Sequence, residues 1–228
     1  FPTRRSSDLL LRPQIQDSKI QLMPLVYGVP GTTVGYEDRE GIVFIGGSHH
    51  PPNNDAIKYF VSEVMPLLRG SLPGIKFYVV GDNPTPDIAS LAADDVLIQG
   101  YVEDLNAFLD SRKLSVAPLR FGAGMKGKIC SSLGKGLPCV ASTIGAEGLN
   151  LINYKNIVIA NGPEVICKEI LHLYGSKVDW NNMSRESVVA IENLNGMNVS
   201  FFKLKQILES LEFSGFSIDY PLIAYSDQ

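Results

Sequence analysis

Cysteine is scarce in this sequence: only Cys130, Cys139 and Cys167 occur among 228 residues. Their number is odd, and no two of them stand at the short spacing of a zinc or redox pair. This excludes a disulfide framework and argues against a cysteine-based metal site. We expect three free thiols in a reducing, cytoplasmic setting, with Cys139 buried in a strand and Cys130 in a helix.

Long apolar runs are absent as well. None approaches the ~20 residues that a membrane span needs, and Leu9 to Leu11 are too short for the core of a signal peptide. The formal net charge of −4 gives no reason to expect a nucleic-acid or anionic-membrane partner. We therefore expect a globular protein without a membrane span.

One stretch lacks acidic residues altogether. Between Ser111 and Ala146 there is no Asp or Glu, although acids outnumber bases in the chain as a whole. Six bases fall in the same stretch: Arg112, Lys113, Arg120, Lys126, Lys128 and Lys135. A basic run of this kind in an acidic chain predicts a site for a small anion.

Strand-like and helix-like patterns alternate along the chain. Short apolar runs, typical of strands buried on both faces, occur at 42–45, 75–80, 96–98, 114–117, 139–141 and 157–159. Segments with helical spacing of apolar residues lie between them. The alternation predicts an α/β fold, a Rossmann-like doubly wound sheet of six mostly parallel strands, with further helices towards the C-terminus.

The first predicted helix follows a Pro/Asn loop. Asn54 is a suitable N-cap for it, and apolar residues recur at helical spacing from Ile57 to Leu68. Because proline disturbs a helix interior, we expect Pro66 to bend or shorten the last turn.

We divide the chain into three parts. Residues 41–213 form the α/β domain, and residues 214–228 form an irregular tail. Residues 1–40 begin with FPTRRSSDL, which resembles a translated sequencing adapter, and continue with a strand-like piece at 20–27 and a Gly/Pro-rich connector. We interpret this part as a non-native leader followed by the end of a preceding domain; a disordered native linker is the alternative for the leader.

Ligands of open α/β sheets bind at the carboxyl ends of the strands, and three sequence features collect there. Gly46 and Gly47 follow the first strand, where they either let a ligand approach the backbone or merely form a tight turn. Glu147, after the 139–141 strand, is the only acid beside the basic stretch. It either accepts hydrogen bonds from sugar hydroxyls or serves as a helix cap or a solvated acid.

The third feature is the segment 120–128, which runs from a strand into a helix. Its glycines, among them Gly122 and Gly124, leave backbone N–H groups accessible, and the helix N-terminus supplies positive potential. Three basic residues, Arg120, Lys126 and Lys128, lie in the same segment as the glycines and the start of the helix. This combination suits a diphosphate group.

The spacing of the cations narrows the choice of phosphate ligands. On a helix, Lys126 and Lys128 diverge by about 200°, whereas Lys128 shares a face with Ser131 and Ser132. We therefore predict that Lys128 binds the phosphates together with Arg120, and that Lys126 comes second. The alternative is a set of solvated bases around a Gly-rich loop.

Other kinds of site find little support. His49 and His50 are adjacent and have no second set of ligands at metal spacing. No dinucleotide fingerprint follows the first strand, and no nucleophile elbow is present. We expect neither a metal ion nor a cofactor.

Four segments carry a family resemblance: GGSHHPPNNDA (46–56), VVGDNPTP (79–86), GYVEDL (100–105) and APLRFGAGMKGKICSSLGKGLPCVASTIGAEGL (117–149). In this order and spacing they resemble the C-terminal domain of family-4 glycosyltransferases, which have two Rossmann-like domains in the B-type fold. The similarity covers about residues 41–211.

The resemblance implies a nucleotide-sugar donor, transfer without a metal ion, and a glycan or lipid-linked acceptor held in a cleft with an N-terminal domain. It assigns the donor phosphates to Arg120 and Lys128 and lines the base pocket with Tyr101 and Val102. Many members carry two Glu residues eight positions apart, the second of which contacts the donor ribose. Here Ala123 and Ser131 occupy those positions.

Two functions follow. The first is a donor-binding domain of a glycosyltransferase in polysaccharide biosynthesis, in which Arg120 and Lys128 stabilise the departing diphosphate. We expect such a domain to bind nucleotide and yet transfer no sugar by itself. The second, which the absent Glu pair favours, is a non-catalytic nucleotide-binding or scaffold domain of the same fold.

Overall fold

The computed structural model describes Met23 and residues 25–123 and 126–210. In this part of the chain, six strands form one parallel sheet in the order β3-β2-β1-β4-β5-β6. The strands are β1 (Glu40–Ile45), β2 (Phe77–Val80), β3 (Val96–Gly100), β4 (Arg112–Ala117), β5 (Cys139–Ala141) and β6 (Val158–Ile159). The predicted α/β class and the parallel sheet are confirmed.

Helices connect the strands and follow the last one. They are α1 (Pro51–Tyr59), α2 (Met65–Ser71), α3 (Pro86–Ala89), α4 (Leu105–Asp110), α5 (Gly127–Gly134), α6 (Thr143–Ala146), α7 (Pro163–Gly175), α8 (Lys177–Asn195) and α9 (Met197–Ser210). A π-helical segment, Phe60–Val64, joins α1 to α2.

Strand β1 is buried on both faces. Ile42 and Phe44 pack into the core beneath α1, α2 and α7, whereas Val43 belongs to the opposite cluster, which Leu109 of α4 joins. Successive side chains of a strand point to opposite faces, so a strand covered on both sides needs an unbroken apolar run. This is why the pattern at 42–45 predicted its position correctly.

The first helix differs from the prediction at both ends. It begins at Pro51, with His50 in the N-cap position, so Asn54 lies inside the helix; prolines suit the first turn because they lack an N–H that would be unpaired there. Pro66 does not shorten the helix. The π-helical segment precedes it, where Met65 N–H donates to Phe60 O, and the extra residue lets the helix continue to Ser71 past the missing donor of Pro66.

The segment before β1 packs on the domain. Tyr27 N–H donates to Asn195 O at 3.0 Å, and Gly31 N–H donates to Gly134 O at 3.0 Å. The strand expected at 20–27 is not found in its described part, Met23 and residues 25–27, because its backbone there pairs with the end of α8 rather than with a strand. The rest of that segment, most of the predicted leader and the predicted tail lie outside the described residues.

All three cysteines are free and buried. Cys139 lies in β5 and Cys130 in α5, as predicted. Burial raises the pKa of Cys139 to about 12 and that of Cys130 to about 11. Among the described residues, no helix is both long and apolar enough to cross a membrane.

Gly81 determines how closely two loops approach at the carboxyl edge of the sheet. A β-carbon on Gly81 would lie 2.5 Å from Gly46 O, a backbone atom that cannot move aside. We predict that Gly81→Ala lowers the free energy of unfolding by about 1–3 kcal/mol, as overpacking does. The control is Gly70→Ala in α2, where a β-carbon would have no heavy atom within 4 Å; it should stabilise by about 0.5–1 kcal/mol. Urea denaturation measures both, and equal effects would contradict the close approach.

Candidate functional site

The sheet reverses its direction of winding between β1 and β4. The chain runs outward from β1 to β2 and β3, then returns to place β4 on the other side of β1. The loops after these two strands leave in opposite directions and open a crevice at their carboxyl ends. Gly46 and Gly47 follow β1, and the segment from Arg120 to the start of α5 follows β4.

Lys128, the second residue of α5, reaches across this crevice. Its Nζ donates to Oδ1 of Asn53 in α1, and Nδ2 of Asn53 donates to Gly47 O at 3.0 Å. A β-carbon on Gly46 would lie 2.6 Å from Nδ2 of Asn53 and 3.2 Å from Nζ of Lys128. The absence of a side chain at Gly46 therefore leaves room for the amide of Asn53, the partner of Lys128; whether a ligand also approaches the backbone here stays a prediction.

Within the described residues, no carboxylate forms an ion pair with Lys128. Burial lowers its pKa to about 8, and the nearby Lys126 acts in the same direction. None of the ion pairs within the described part of the chain includes Lys128, and its hydrogen-bond partner, Asn53, is neutral. A partly buried ammonium group of this kind at a helix N-terminus favours an anionic ligand.

Arg120 has a different environment. Its Nε donates to Oδ2 of Asp55 at 2.9 Å, and its Nη2 donates to Oδ1 of the same carboxylate. The guanidinium lies 5.0 Å from the centre of the Tyr59 ring, and the Arg120 side chain is 56% exposed. The hydrogen bond from Arg120 lowers the pKa of Asp55. Arg120 is therefore already paired, and a phosphate would have to share it with Asp55.

Sequence reasoning missed both partners, Asn53 and Asp55. The available signal was the row of polar residues at 53–55, directly after the Gly-Gly turn of a central strand. Asn54, the residue between them, points elsewhere and donates to Thr85 and Asp87.

The remaining candidates around α5 are held by the protein itself. Lys126 is the N-cap residue of α5, so the helical angle between it and Lys128 does not apply. It is 6% exposed, and its Nζ lies 3.4 Å from Gly122 O. The hydroxyl groups of Ser131 and Ser132 donate to the backbone carbonyls of Gly127 and Lys128 within the helix. Their role as donor ligands stays a prediction.

The candidates on other loops differ in exposure. The Tyr101 side chain is 75% exposed, whereas Val102 packs on the cluster below α4. Gly122 has a positive φ of 119° and lies against Pro52, and Gly124 lies outside the described residues. Glu147 is exposed and follows α6 at its C-terminal end.

The N-cap of α6 is Ser142, whose hydroxyl accepts from Gly145 N–H at 2.9 Å. Glu147 therefore does not cap this helix at its N-terminus. The interpretations as a ligand for sugar hydroxyls and as a solvated acid both stay open.

The six bases of the basic stretch do not lie together, so the site for a small anion, which stays a prediction, could include only some of them. Arg112 lies 3.9 Å from the centre of the Tyr78 ring, and the Nζ of Lys113 lies 3.7 Å from that of Tyr36. Lys135 pairs with Asp110 at 2.9 Å. These three bases support the packing of β4 and the end of α5. Only the other three, Arg120, Lys126 and Lys128, lie beside the crevice.

A second, open groove of about 410 Å³ lies beside the crevice, between α1 and α3. Its carboxylates are already paired: Asp55 with Arg120, and Asp87 with Lys58. Asp87 bonds Lys58 and Asn54, and these bonds hold the pKa of Asp87 far below its usual range. Among the described residues, no group of three or more His, Cys, Asp or Glu is arranged to hold a metal ion.

Comparison with known proteins places these features in a family. The family model described as "Glycosyl transferases group 1" matches residues 39–176, more than half of the chain. An uncharacterised 44.6 kDa protein in the cps region of Klebsiella pneumoniae is 24% identical over 140 residues, which cover 58% of this chain and 36% of that protein. This chain therefore spans about a third of the length of that relative.

Two solved structures show the same fold. A mutant of S. aureus TarM in complex with Fondaparinux, alpha-GlcNAc-glycerol and UDP aligns with a TM-score of 0.71 and 18% identity, over 90% of this chain and 42% of that one. Anabaena HepE in complex with UDP and glucose aligns with a TM-score of 0.61 and 14% identity, over 78% of this chain and 49% of that one. The parallel sheet and the family match together confirm the resemblance found in the sequence. The chain belongs to the group 1 glycosyltransferases.

Proposed function

We propose that this domain binds the nucleoside diphosphate part of a nucleotide-sugar donor, with the diphosphate at the N-terminus of α5. The observation that carries the proposal is Lys128, a partly buried cation with a neutral partner at the carboxyl ends of the central strands. The N–H of Ile129 already donates to Lys126 O at 2.9 Å, so the N–H groups of Gly127 and Lys128 are the backbone donors that we propose for the phosphates at this helix N-terminus.

The chemistry would be the transfer of a glycosyl group. The bond between the anomeric carbon and the phosphate oxygen breaks, its electron pair leaves with the diphosphate, and the carbon bonds to a hydroxyl oxygen of the acceptor, which loses its proton. Negative charge grows on the departing diphosphate, so a preorganised ammonium group close to it stabilises the transition state. We assign this role to Lys128, with Arg120 as a second contact, and we expect no metal ion or cofactor.

The acceptor belongs to the same proposal. TarM and HepE bind UDP, which makes UDP the first nucleotide to test here. We propose a glycan or lipid-linked acceptor in polysaccharide biosynthesis in the cytoplasm, held with a second domain, since this chain spans less than half of either neighbour. Tyr101 and Val102 are the proposed contacts of the base, and Glu147 that of the sugar hydroxyls.

A non-catalytic nucleotide-binding domain is the second candidate. It is favoured by Ala123 and Ser131, which offer no carboxylate to a ribose, and the Ser131 hydroxyl is engaged with Gly127 O. A sugar-transfer assay on a full-length protein that binds nucleotide separates the two: binding without transfer would leave only this candidate.

We predict that Lys128→Ala weakens UDP binding by about 1.5–3 kcal/mol, the value of a hydrogen bond to a charged group. Arg120→Ala should cost less, because Asp55 already occupies the guanidinium. Isothermal titration calorimetry of this chain measures both. The control is Lys135→Met at the far end of the same helix, which should leave the affinity unchanged while losing the ion pair with Asp110. Equal losses for all three variants would indicate a diffuse basic surface.

The affinity should also depend on pH. Because Lys128 has a pKa of about 8 in the free protein, it loses its charge as the pH rises through 8, and UDP binding should weaken by up to roughly tenfold per pH unit above that value. A bound phosphate favours the charged form, so binding near pH 8 takes up a proton. Titrations in two buffers of different ionisation enthalpy detect this uptake.

Lys128→Arg provides the matched control for the pH dependence. Arginine keeps its charge over the whole range, so the variant should show no such loss of affinity. A wild-type affinity that stays constant from pH 7 to about 9.5 would contradict the assignment of Lys128.

A further inference from the structure

Helix α1 contacts both of the cations that were predicted from the sequence. Asn53 accepts a hydrogen bond from Lys128, which lies in α5, and Asp55 accepts two from Arg120, which follows β4. The two α1 residues are two positions apart and so point in directions that differ by about 200°. One helix therefore arranges cations from two different elements.

The orientation of the Asn53 amide follows from its partners. Gly47 O can only accept, so the amide nitrogen must face it, at 3.0 Å. The ammonium group of Lys128 can only donate, so the amide oxygen must face Lys128. Asn53 is 6% exposed, which keeps the amide in this one arrangement.

The two partners leave the cations with different net charges. The carboxylate of Asp55 neutralises Arg120, whereas the amide of Asn53 orients Lys128 and leaves its charge intact. Exchanging the two side chains, Asn53→Asp with Asp55→Asn, would place the carboxylate beside Lys128 and the amide beside Arg120. The two side chains have the same shape, and the net charge of the protein would not change.

We propose that Asn53 is a positioning residue that sets the anion affinity of the site by holding Lys128 in place without neutralising it. The ligand class rests on the proposed function; the arrangement of charge rests only on contacts within the chain. We therefore expect position 53 to require a neutral side chain that can donate a hydrogen bond to Gly47 O and accept one from Lys128.

Four variants test the proposal: Asn53→Asp, Asn53→Leu, Asp55→Asn and the double exchange of Asn53→Asp with Asp55→Asn. Aspartate and leucine at position 53 both lose the hydrogen bond to Gly47 O, and they differ in charge. The comparison of these two therefore separates neutralisation of Lys128 from loss of local structure. Binding of UDP and of inorganic pyrophosphate is measured by calorimetry, and thermal denaturation identifies any unfolded variant.

We expect Asn53→Asp and the double exchange to weaken binding of both probes by at least about tenfold, the effect of losing one charge-assisted hydrogen bond. The pH at which binding falls should move above its wild-type value of about 8, because a carboxylate favours charged Lys128. Asn53→Leu should lose about two- to fivefold without an upward shift, and Asp55→Asn should keep wild-type affinity or exceed it. Equal losses and equal pH midpoints for the aspartate and leucine variants would overturn the proposal.

A pH titration of Lys128 without ligand tests the role of Asn53 independently of the proposed function. The NMR signal of the ε-carbon of Lys128 reports its pKa directly. If Asn53→Asp raises that pKa while no protein binds either probe, the arrangement of charge holds and the diphosphate ligand is wrong. If the pKa does not move, the positioning role of Asn53 is wrong, whatever binds.

Discussion

The proposed site depends on one hydrogen bond, from the partly buried ammonium group of Lys128 to the buried amide of Asn53. Lys128 loses part of its hydration where it lies, at the carboxyl ends of the central strands. This burial disfavours the charged ammonium group and lowers its pKa to about 8. The Oδ1 atom of Asn53 accepts a hydrogen bond from Lys128, but the neutral amide does not balance the charge of the lysine. Among the described residues no ion pair includes Lys128, and this is why we propose an anionic ligand for it.

Glycines at the carboxyl edge of the sheet leave room around this hydrogen bond. A β-carbon on Gly46 would lie only 2.6 Å from the amide nitrogen of Asn53, and one on Gly81 only 2.5 Å from Gly46 O. The parallel sheet brings these loops to one edge, because every strand ends there. Gly46 and Gly81, which look like ordinary turn residues in the sequence, therefore stand where the structure has no space for a side chain.

Much of the fold could be predicted from the sequence, but less of the site. Strands such as β1 were found because burial on both faces requires an unbroken apolar run, a local signal. The pairing of Arg120 with Asp55 and the packing of Lys113 over Tyr36 join residues that are distant in the sequence, so no spacing rule finds them. The π-helical segment before Pro66 was missed for another reason: a helix can accommodate a proline by bending, by ending or by a π-helical turn, and the spacing of the apolar residues does not distinguish these.

A crystal structure of this chain with a bound nucleoside diphosphate tests the central claim most directly. We predict both phosphates at the N-terminus of α5, with a phosphate oxygen within hydrogen-bond distance of Nζ of Lys128 and the amide of Asn53 unmoved. Phosphates seated in the groove beside Lys58, with Lys128 still bonded only to Asn53, would contradict it.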